Sequence, residues 1–175
     1  TVSSGVPAWT TPASGGGEIC YDPPASTPNG LRKDHSLFGV EITDGSSPLF
    51  NKTISDFSFY LRKDSGMSPT GAGEGRIYDN SGSLVATSTN TQDWATLPSS
   101  FTKITFNISR TIAIGDKIVI GGGSTGLSKE VTVDNSDALS NTTFQSCIEY
   151  DDISGTWDKY NSGVSGVKWC VTTTS

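Results

Sequence analysis

The sequence has few of the side chains from which catalytic and metal-binding sites are usually built. Its 175 residues include one histidine, one methionine and three cysteines, and only 17% of them are charged. No Cys-x-x-Cys pair occurs, so the cysteines and His35 lack the usual spacing of a zinc site. The Gly-x-Ser-x-Gly spacing occurs once, at Gly122-Gly123-Ser124-Thr125-Gly126, within a glycine-rich run that we interpret as a connection and not as a nucleophile elbow. We therefore interpret His35, the only candidate general base of a Ser-His-Asp triad, as a solvated loop residue.

Positive charge is also scarce. Eighteen acidic residues against twelve basic ones give a net charge of −6, and no basic cluster is longer than Arg32-Lys33 or Arg62-Lys63. Nucleic acids are held by several converging cations, so we expect no nucleic-acid partner. No apolar run approaches the roughly 20 residues needed to span a bilayer, so we expect no membrane span.

The first residues do not resemble an export signal. The chain begins with Thr, and no charged region followed by an apolar region is present. We expect that a signal peptide has already been removed and that the protein is extracellular or at the cell surface.

Residues 1–30 differ from the rest of the chain. They hold five of the eight prolines and the Gly15-Gly16-Gly17 run, which argue against a continuous strand or helix. We predict an extended N-terminal arm at 1–30, with one short strand at 18–21, followed by a single domain at 31–175. The apolar residues Val2, Val6 and Trp9 predict that the arm contacts another subunit by pairing with an exposed sheet edge. The alternative is a loose terminal tail or linker.

What the domain does contain is alternation of apolar and polar residues. "ISDFSFYLRK" and "FTKITFNIS" place apolar side chains at every second position, and "IAIGDKIVI" holds a strand end, a Gly115-Asp116 turn and another strand. Clusters of Gly, Asn, Asp and Ser separate the strands. Asp79-Asn80-Ser81-Gly82 predicts a hairpin turn. The pattern predicts an all-β fold, an antiparallel β-sandwich of jelly-roll type. The predicted core includes Phe57, Phe59, Leu61, Ile104, Phe106, Ile108, Ile118, Ile120 and Trp169.

The order of these segments resembles a known group of proteins. The run "ISDFSFYLRK…SPTG…GRIYDNSGSLVATS…W…FTKITFNIS…IAIGDKIVI…Y…W" is similar to jelly-roll modules of secreted archaeal and archaeal-virus surface proteins. The likeness covers about residues 36–171 and rests on residues that build the fold. It implies an extracellular structural or adhesive module, in some cases sugar-binding.

The three cysteines allow three pairings, each leaving one residue over. Cys147 lies opposite in parity to Phe144, Ile148 and Tyr150, and Cys170 lies opposite in parity to Val167, Trp169 and Val171. If the two strands are neighbours, both thiols lie on one outer face. We therefore predict a Cys147–Cys170 disulfide, with buried, inert thiols as the alternative.

Aromatic and acidic loop residues are the candidate ligand sites. Trp157 and Tyr160 lie in a polar loop and, with Trp94, are candidates for a sugar-binding platform, although packing over the end of the sandwich is an alternative. Asp134, Asp137, Asp151 and Asp152 could hold a structural calcium ion, but their spacing matches no EF-hand, and polar turns without an ion are the alternative. We expect no other cofactor.

Three Asn-x-Ser/Thr sequons are candidate glycosylation sites, at Asn51, Asn107 and Asn141. Asn107 is predicted to point away from the core, because Phe106 and Ile108 have the opposite parity.

Together these features predict a non-enzymatic, extracellular structural or adhesive surface subunit, for example a building block of a filament joined by its arm. Its expected partners are copies of itself or other cell-surface or virion proteins. The alternative is a carbohydrate-binding module whose partners are glycans. A hydrolase that uses paired carboxylates among Glu149, Asp151, Asp152 and Asp158 is a weaker third hypothesis.

Overall fold

A computed structural model describes residues 16–22, 29–31, 35–122, 131–136, 145–159 and 166–174. In these residues the chain forms antiparallel strands that are arranged in two six-stranded sheets. The first sheet contains β1 (Glu18–Tyr21), β2 (Asn29–Leu31), β4 (Thr53–Lys63), β7 (Thr102–Thr111), β9 (Val131–Val133) and β14 (Trp169–Thr173). The second contains β3 (His35–Ile42), β5 (Ala72–Tyr78), β6 (Leu84–Asp93), β8 (Lys117–Gly121), β11 (Gln145–Asp151) and β12 (Thr156–Lys159).

Two further strands, β10 (Asn135–Ser136) and β13 (Gly166–Val167), pair only with each other, and a short 3-10 helix spans Trp94–Thr96. The first sheet has the order β1-β14-β4-β9-β2, with β7 on the other side of β4. The second has the order β12-β11-β3-β8-β5-β6. The all-β sandwich is confirmed, whereas this strand order does not confirm the jelly-roll connectivity.

The predicted strand register is confirmed by burial. Phe57, Phe59 and Leu61 on β4 are fully buried, and Phe106 and Ile108 on β7 lie in the same core. Ile118, Ile120 and Trp169 are also fully buried. Ile104 is only partly buried at the margin of the core. A shift of one residue would have turned each of these side chains to the opposite face.

The hairpin at residues 79–82 forms as the sequence predicts. The Asp79 side chain accepts hydrogen bonds from the backbone N–H groups of Ser81 and Ser83, at 2.9 and 3.0 Å. Gly82 has a φ of +83°, which glycine adopts without steric cost. The side chain and the glycine together reverse the chain between β5 and β6.

The strand predicted at residues 18–21 is confirmed as β1. It pairs with β14 from Glu18↔Thr172 to Tyr21↔Trp169. β2 also lies in the segment assigned to the arm, and it pairs with β9. The division between residues 30 and 31 stays a prediction, as does the role of the arm, because residues 1–15 lie outside the described chain.

Asn90 joins the two sheets along one side of the sandwich. Its side-chain amide donates to the Thr105 carbonyl at 2.8 Å, and its oxygen accepts from the Asn107 backbone N–H at 2.7 Å. Because Asn90 lies on the edge strand β6 and the other two residues lie on β7, these bonds partly cover both sheet edges.

In the described parts of the chain there is no helix of the length and hydrophobicity required for a membrane crossing.

Candidate functional site

An aromatic and aliphatic cluster lies on the face of the second sheet that points away from the core. We call it the outer cluster, and it has its own buried centre, distinct from the main core. Its members come from five strands, β3, β5, β8, β11 and β12. They are Leu37, Tyr78, Val119, Ile148, Tyr150 and Trp157.

The β11–β12 hairpin brings Trp157 to the middle of the outer cluster. β12 is the edge strand, and four inter-strand steps separate it from β5. A flat sheet would hold these two strands about 19 Å apart. The Trp157 ring nevertheless lies 5.1 Å from that of Tyr78 on β5 and 5.1 Å from that of Tyr150 on β11. The β11–β12 hairpin is therefore curled over the outer face.

A lysine and a glutamate border the outer cluster. Lys117 Nζ lies 5.9 Å from the centroid of the Trp157 ring and 3.4 Å from a carboxylate oxygen of Glu41. The ammonium group also donates to the backbone carbonyl of Gly115 at 3.2 Å. Lys117 is buried, so this ion pair is shielded from solvent more than a surface pair. An aromatic ring with a cation and an acid beside it can bind a polar ligand such as a sugar.

The other two predicted platform residues do not join Trp157 in the described chain. Trp94 is fully buried, its indole N–H donates to the Gly122 carbonyl at 2.8 Å, and its ring covers Gly73. The prediction that Trp94 belongs to a surface platform is therefore wrong, because no ligand can reach this buried ring without opening the core. Tyr160 lies outside the described residues. Sequence reasoning missed Tyr78, whose signal was its outward parity beside the buried Ile77.

The predicted Cys147–Cys170 disulfide is wrong. Cys170 on β14 is bonded to Cys20 on β1, and the two residues are direct cross-strand partners. Cys147 lies on β11 in the second sheet and points into the main core, opposite Val40. The parity of Cys170 was assigned correctly, but the strands of Cys147 and Cys170 belong to different sheets. Their thiols therefore cannot share an outer face.

Two of the predicted calcium ligands, Asp151 and Asp152, are used in other contacts. Asp151 accepts hydrogen bonds from Ile153 N and Ser154 Oγ at 2.8 Å each, which closes the β11–β12 turn. Asp152 accepts from Ser36 N and Oγ at 2.7 and 2.8 Å. Asp134 is half-buried after β9, and Asp137 lies outside the described residues. Bound calcium stays a prediction without support from these contacts.

A cluster of three residues with metal-ligating side chains was found among the described residues. It consists of Glu18, Cys20 and Cys170. Both sulfurs belong to the disulfide, and it is the thiolate that binds metals. Glu18 is in addition paired with Lys103. In the oxidised protein this cluster therefore does not offer a metal site.

The one histidine does not lie in a loop, which corrects the sequence interpretation. His35 is the first residue of β3 and is paired in register with Asp151. Of the remaining acids proposed for hydrolysis, Glu149 is buried and Asp158 is exposed on the edge strand β12. Glu149 and Asp158 are direct cross-strand partners on β11 and β12.

Two of the three sequons are exposed. Asn51 lies in the turn before β4 with a φ of +59°, and Asn107 lies on β7, opposite Asp56 on β4. Both side chains are open to solvent, so attachment of a glycan requires no change in the core. Asn141 lies outside the described residues, as do the arm residues Val2, Val6 and Trp9.

Three charged groups in the described part of the chain have shifted pKa values. Hydrogen bonds from Ser46 lower the pKa of Asp44, and those from Ser81 and Ser83 lower the pKa of Asp79, because they favour the ionised carboxylate. Burial acts to lower the pKa of Arg76, but hydrogen bonds to Glu74 and Tyr78 outweigh it and raise the pKa. All three shifts are typical of structural contacts that hold turns and strands.

No protein-family model matches the chain, and a search of curated proteins finds no significant match. Functional inference therefore depends on the residues themselves.

Proposed function

We propose that this protein is a non-enzymatic, extracellular structural or adhesive surface subunit. The observation that supports it most directly is the Cys20–Cys170 disulfide, which joins the first described strand to the last. Disulfides persist in oxidising compartments, which include the cell exterior. The resemblance to jelly-roll modules of archaeal and archaeal-virus surface proteins points in the same direction.

The disulfide also gives the arm a fixed origin. Gly17 exchanges hydrogen bonds with Thr173, and Cys20 is bonded three residues later to β14. A force on residues 1–16 would therefore be carried into β14 and β4 without detaching β1. This is the arrangement that a subunit pulled by its N-terminus requires. We propose that the arm pairs with a sheet edge of a neighbouring copy, or of another surface or virion protein.

Deletion of residues 1–14 tests this assembly. The full chain should form particles that light scattering detects, and the truncated chain should stay monomeric. A matched control retains the length of the arm but replaces Val2, Val6 and Trp9 with Ser. If apolar contacts drive assembly, this variant should behave as the deletion does. Equal assembly by all three proteins would contradict the role of the arm.

The second candidate function is a carbohydrate-binding module centred on Trp157. It is supported by the half-exposed indole beside Tyr78, with Lys117 and Glu41 nearby. A glycan array should then show specific binding that Trp157→Ala abolishes and Trp157→Phe partly retains, because phenylalanine keeps an aromatic face. Binding that is unchanged in Trp157→Ala would leave the outer cluster with a packing role only.

A further inference from the structure

A cavity of about 310 Å³ lies at the end of β4, remote in sequence from both Trp157 and the arm. Its walls come from the last residues of that strand, the loop that follows, and Ser99 in the connection to β7. The Lys63 backbone N–H donates to the Pro98 carbonyl at 2.9 Å, which fixes the two walls to each other. The volume is at the lower end of the range for small-ligand pockets, which is suited to a single sugar residue.

The cavity is locally cationic in an acidic protein. Arg62 and Lys63 both line it, against the single acid Asp64, whereas the whole chain carries −6. The guanidinium carbon of Arg62 lies 4.6 Å from the centroid of the Phe101 ring, which orients the side chain. Among the described residues its carboxylate contact, Nη2 to Asp64 Oδ1, is 3.9 Å and is too long for a hydrogen bond. The charge of Arg62 is therefore only weakly compensated.

Arg62, which lines the cavity, and its cross-strand partner Thr132 each have an unsatisfied polar atom. Arg62 Nε and Thr132 Oγ1 are both buried, and neither has a hydrogen-bond partner in the described structure. Arg62 and Thr132 are direct cross-strand partners, so their side chains share one face of the first sheet. Buried polar atoms without partners are uncommon and call for a missing partner.

From these contacts we infer that the cavity binds an acidic sugar through its carboxylate. Arg62 would pair with the sugar carboxylate, because a guanidinium matches the planar carboxylate geometry. Asp64 and the hydroxyl groups of Ser65 and Ser99 would bind the sugar hydroxyls. Asp64 makes this set more suitable for a uronic acid than for phosphate, because its carboxylate repels a dianion but accepts hydrogen bonds from hydroxyls. This inference goes beyond the proposed function and does not depend on assembly.

The inference is tested by calorimetric titration of the full chain with glucuronate, glucose and inorganic phosphate. Glucuronate should bind at millimolar concentration, and the other two should bind more weakly by about tenfold or more. Arg62→Gln should weaken glucuronate binding by about tenfold, because it removes a charge-assisted contact. Lys52→Gln makes the same change of charge at an exposed site outside the cavity and should bind as the unaltered protein does.

A second variant tests the site without a change in the stability of the fold. Ser99 is exposed in a connection, so Ser99→Phe should fill the cavity without lowering the melting temperature. It should nevertheless lose glucuronate binding. Equal binding of phosphate and glucuronate would overturn the assignment to sugar, and no binding of glucuronate would overturn the site. Light scattering of Arg62→Gln should match that of the full chain, which separates this result from the test of the arm.

Discussion

Phe106 is the residue whose burial best tests the strand register. It is fully buried on β7 and its ring lies 5.7 Å from that of Phe57 on the paired β4. Phe106→Ala should lower the free energy of unfolding by about 3–5 kcal/mol, because it removes a large side chain and leaves a cavity. Urea denaturation measures this change. Ile104→Ala, on the same face at the margin of the core, should cost less, and equal costs would contradict the difference in burial between the two residues.

Of the glycines that the structure describes, Gly73 has the closest packing. A Cβ atom at this position would lie 1.6 Å from Cζ2 of the Trp94 ring. Gly73→Ala should therefore displace Trp94, break its bond to Gly122 and lower the melting temperature. Gly45→Ala is the matched control, because a Cβ there would lie at an ordinary 3.6 Å from Phe50. Thermal unfolding of the two variants beside the unaltered protein measures the difference. Equal melting temperatures would contradict the close packing of the indole on β5.

At the scale of elements, the β5–β6 hairpin should weaken in acid. Its Asp79 carboxylate has a lowered pKa, caused first by the Ser81 hydroxyl and next by the Ser83 backbone N–H. A lowered folded-state pKa adds stability above the unfolded value, and that stability is lost as the pH falls through the folded pKa. Asp79→Ala should therefore lower the melting temperature at neutral pH.

The dependence of this effect on pH tests whether the ionised Asp79 carboxylate is responsible. The difference in melting temperature between Asp79→Ala and the unaltered protein should shrink as the pH falls below 3.8, the ordinary value for this carboxyl. Asp158→Ala makes the same change of charge at an exposed position on β12 and should have little effect at either pH. A difference that stays constant with pH would mean that the hydrogen bonds of the ionised carboxylate do not hold the turn.

The elements that the sequence predicts well are those with one buried face. β4 and β7 alternate clearly, and their inward residues could be identified before the fold was known. β11 could not be assigned in this way, because both of its faces are buried. Cys147 points into the main core, while Ile148 is covered on the other face by the outer cluster. Alternation shows which residues of a strand share a face. It does not show which face points into the main core when a second cluster covers the outer face.

The candidate sites depend on contacts that alternation does not contain. Trp157 reaches Tyr78 only because the β11–β12 hairpin curls over the sheet, across four inter-strand steps. The cavity beside Arg62 is likewise formed by a strand end and a distant connection. Local pattern could therefore indicate the hairpin turns and the core, but not which polar and aromatic residues meet on the surface.

At the scale of the whole molecule, the disulfide connects the two ends of the described chain. Cys20 and Cys170 are 150 residues apart in sequence, and Cys20 lies in a segment rich in proline and glycine. Sequence patterns gave no reason to place that segment beside β14, so the choice among three pairings could not be made correctly. The long separation also determines how much the bond should matter.

Replacing both Cys20 and Cys170 with Ala should lower the free energy of unfolding by about 2–5 kcal/mol. The bond closes a long loop, and the entropic stabilisation by a disulfide grows with loop length because more conformations of the unfolded chain are removed. Denaturation in urea with and without dithiothreitol measures the loss. The reductant should bring the unaltered protein to the stability of the double variant and leave that variant unchanged. Peptide mapping without reduction should recover the Cys20–Cys170 pair, and recovery of Cys147 linked to Cys20 or Cys170 would contradict the pairing of β1 with β14.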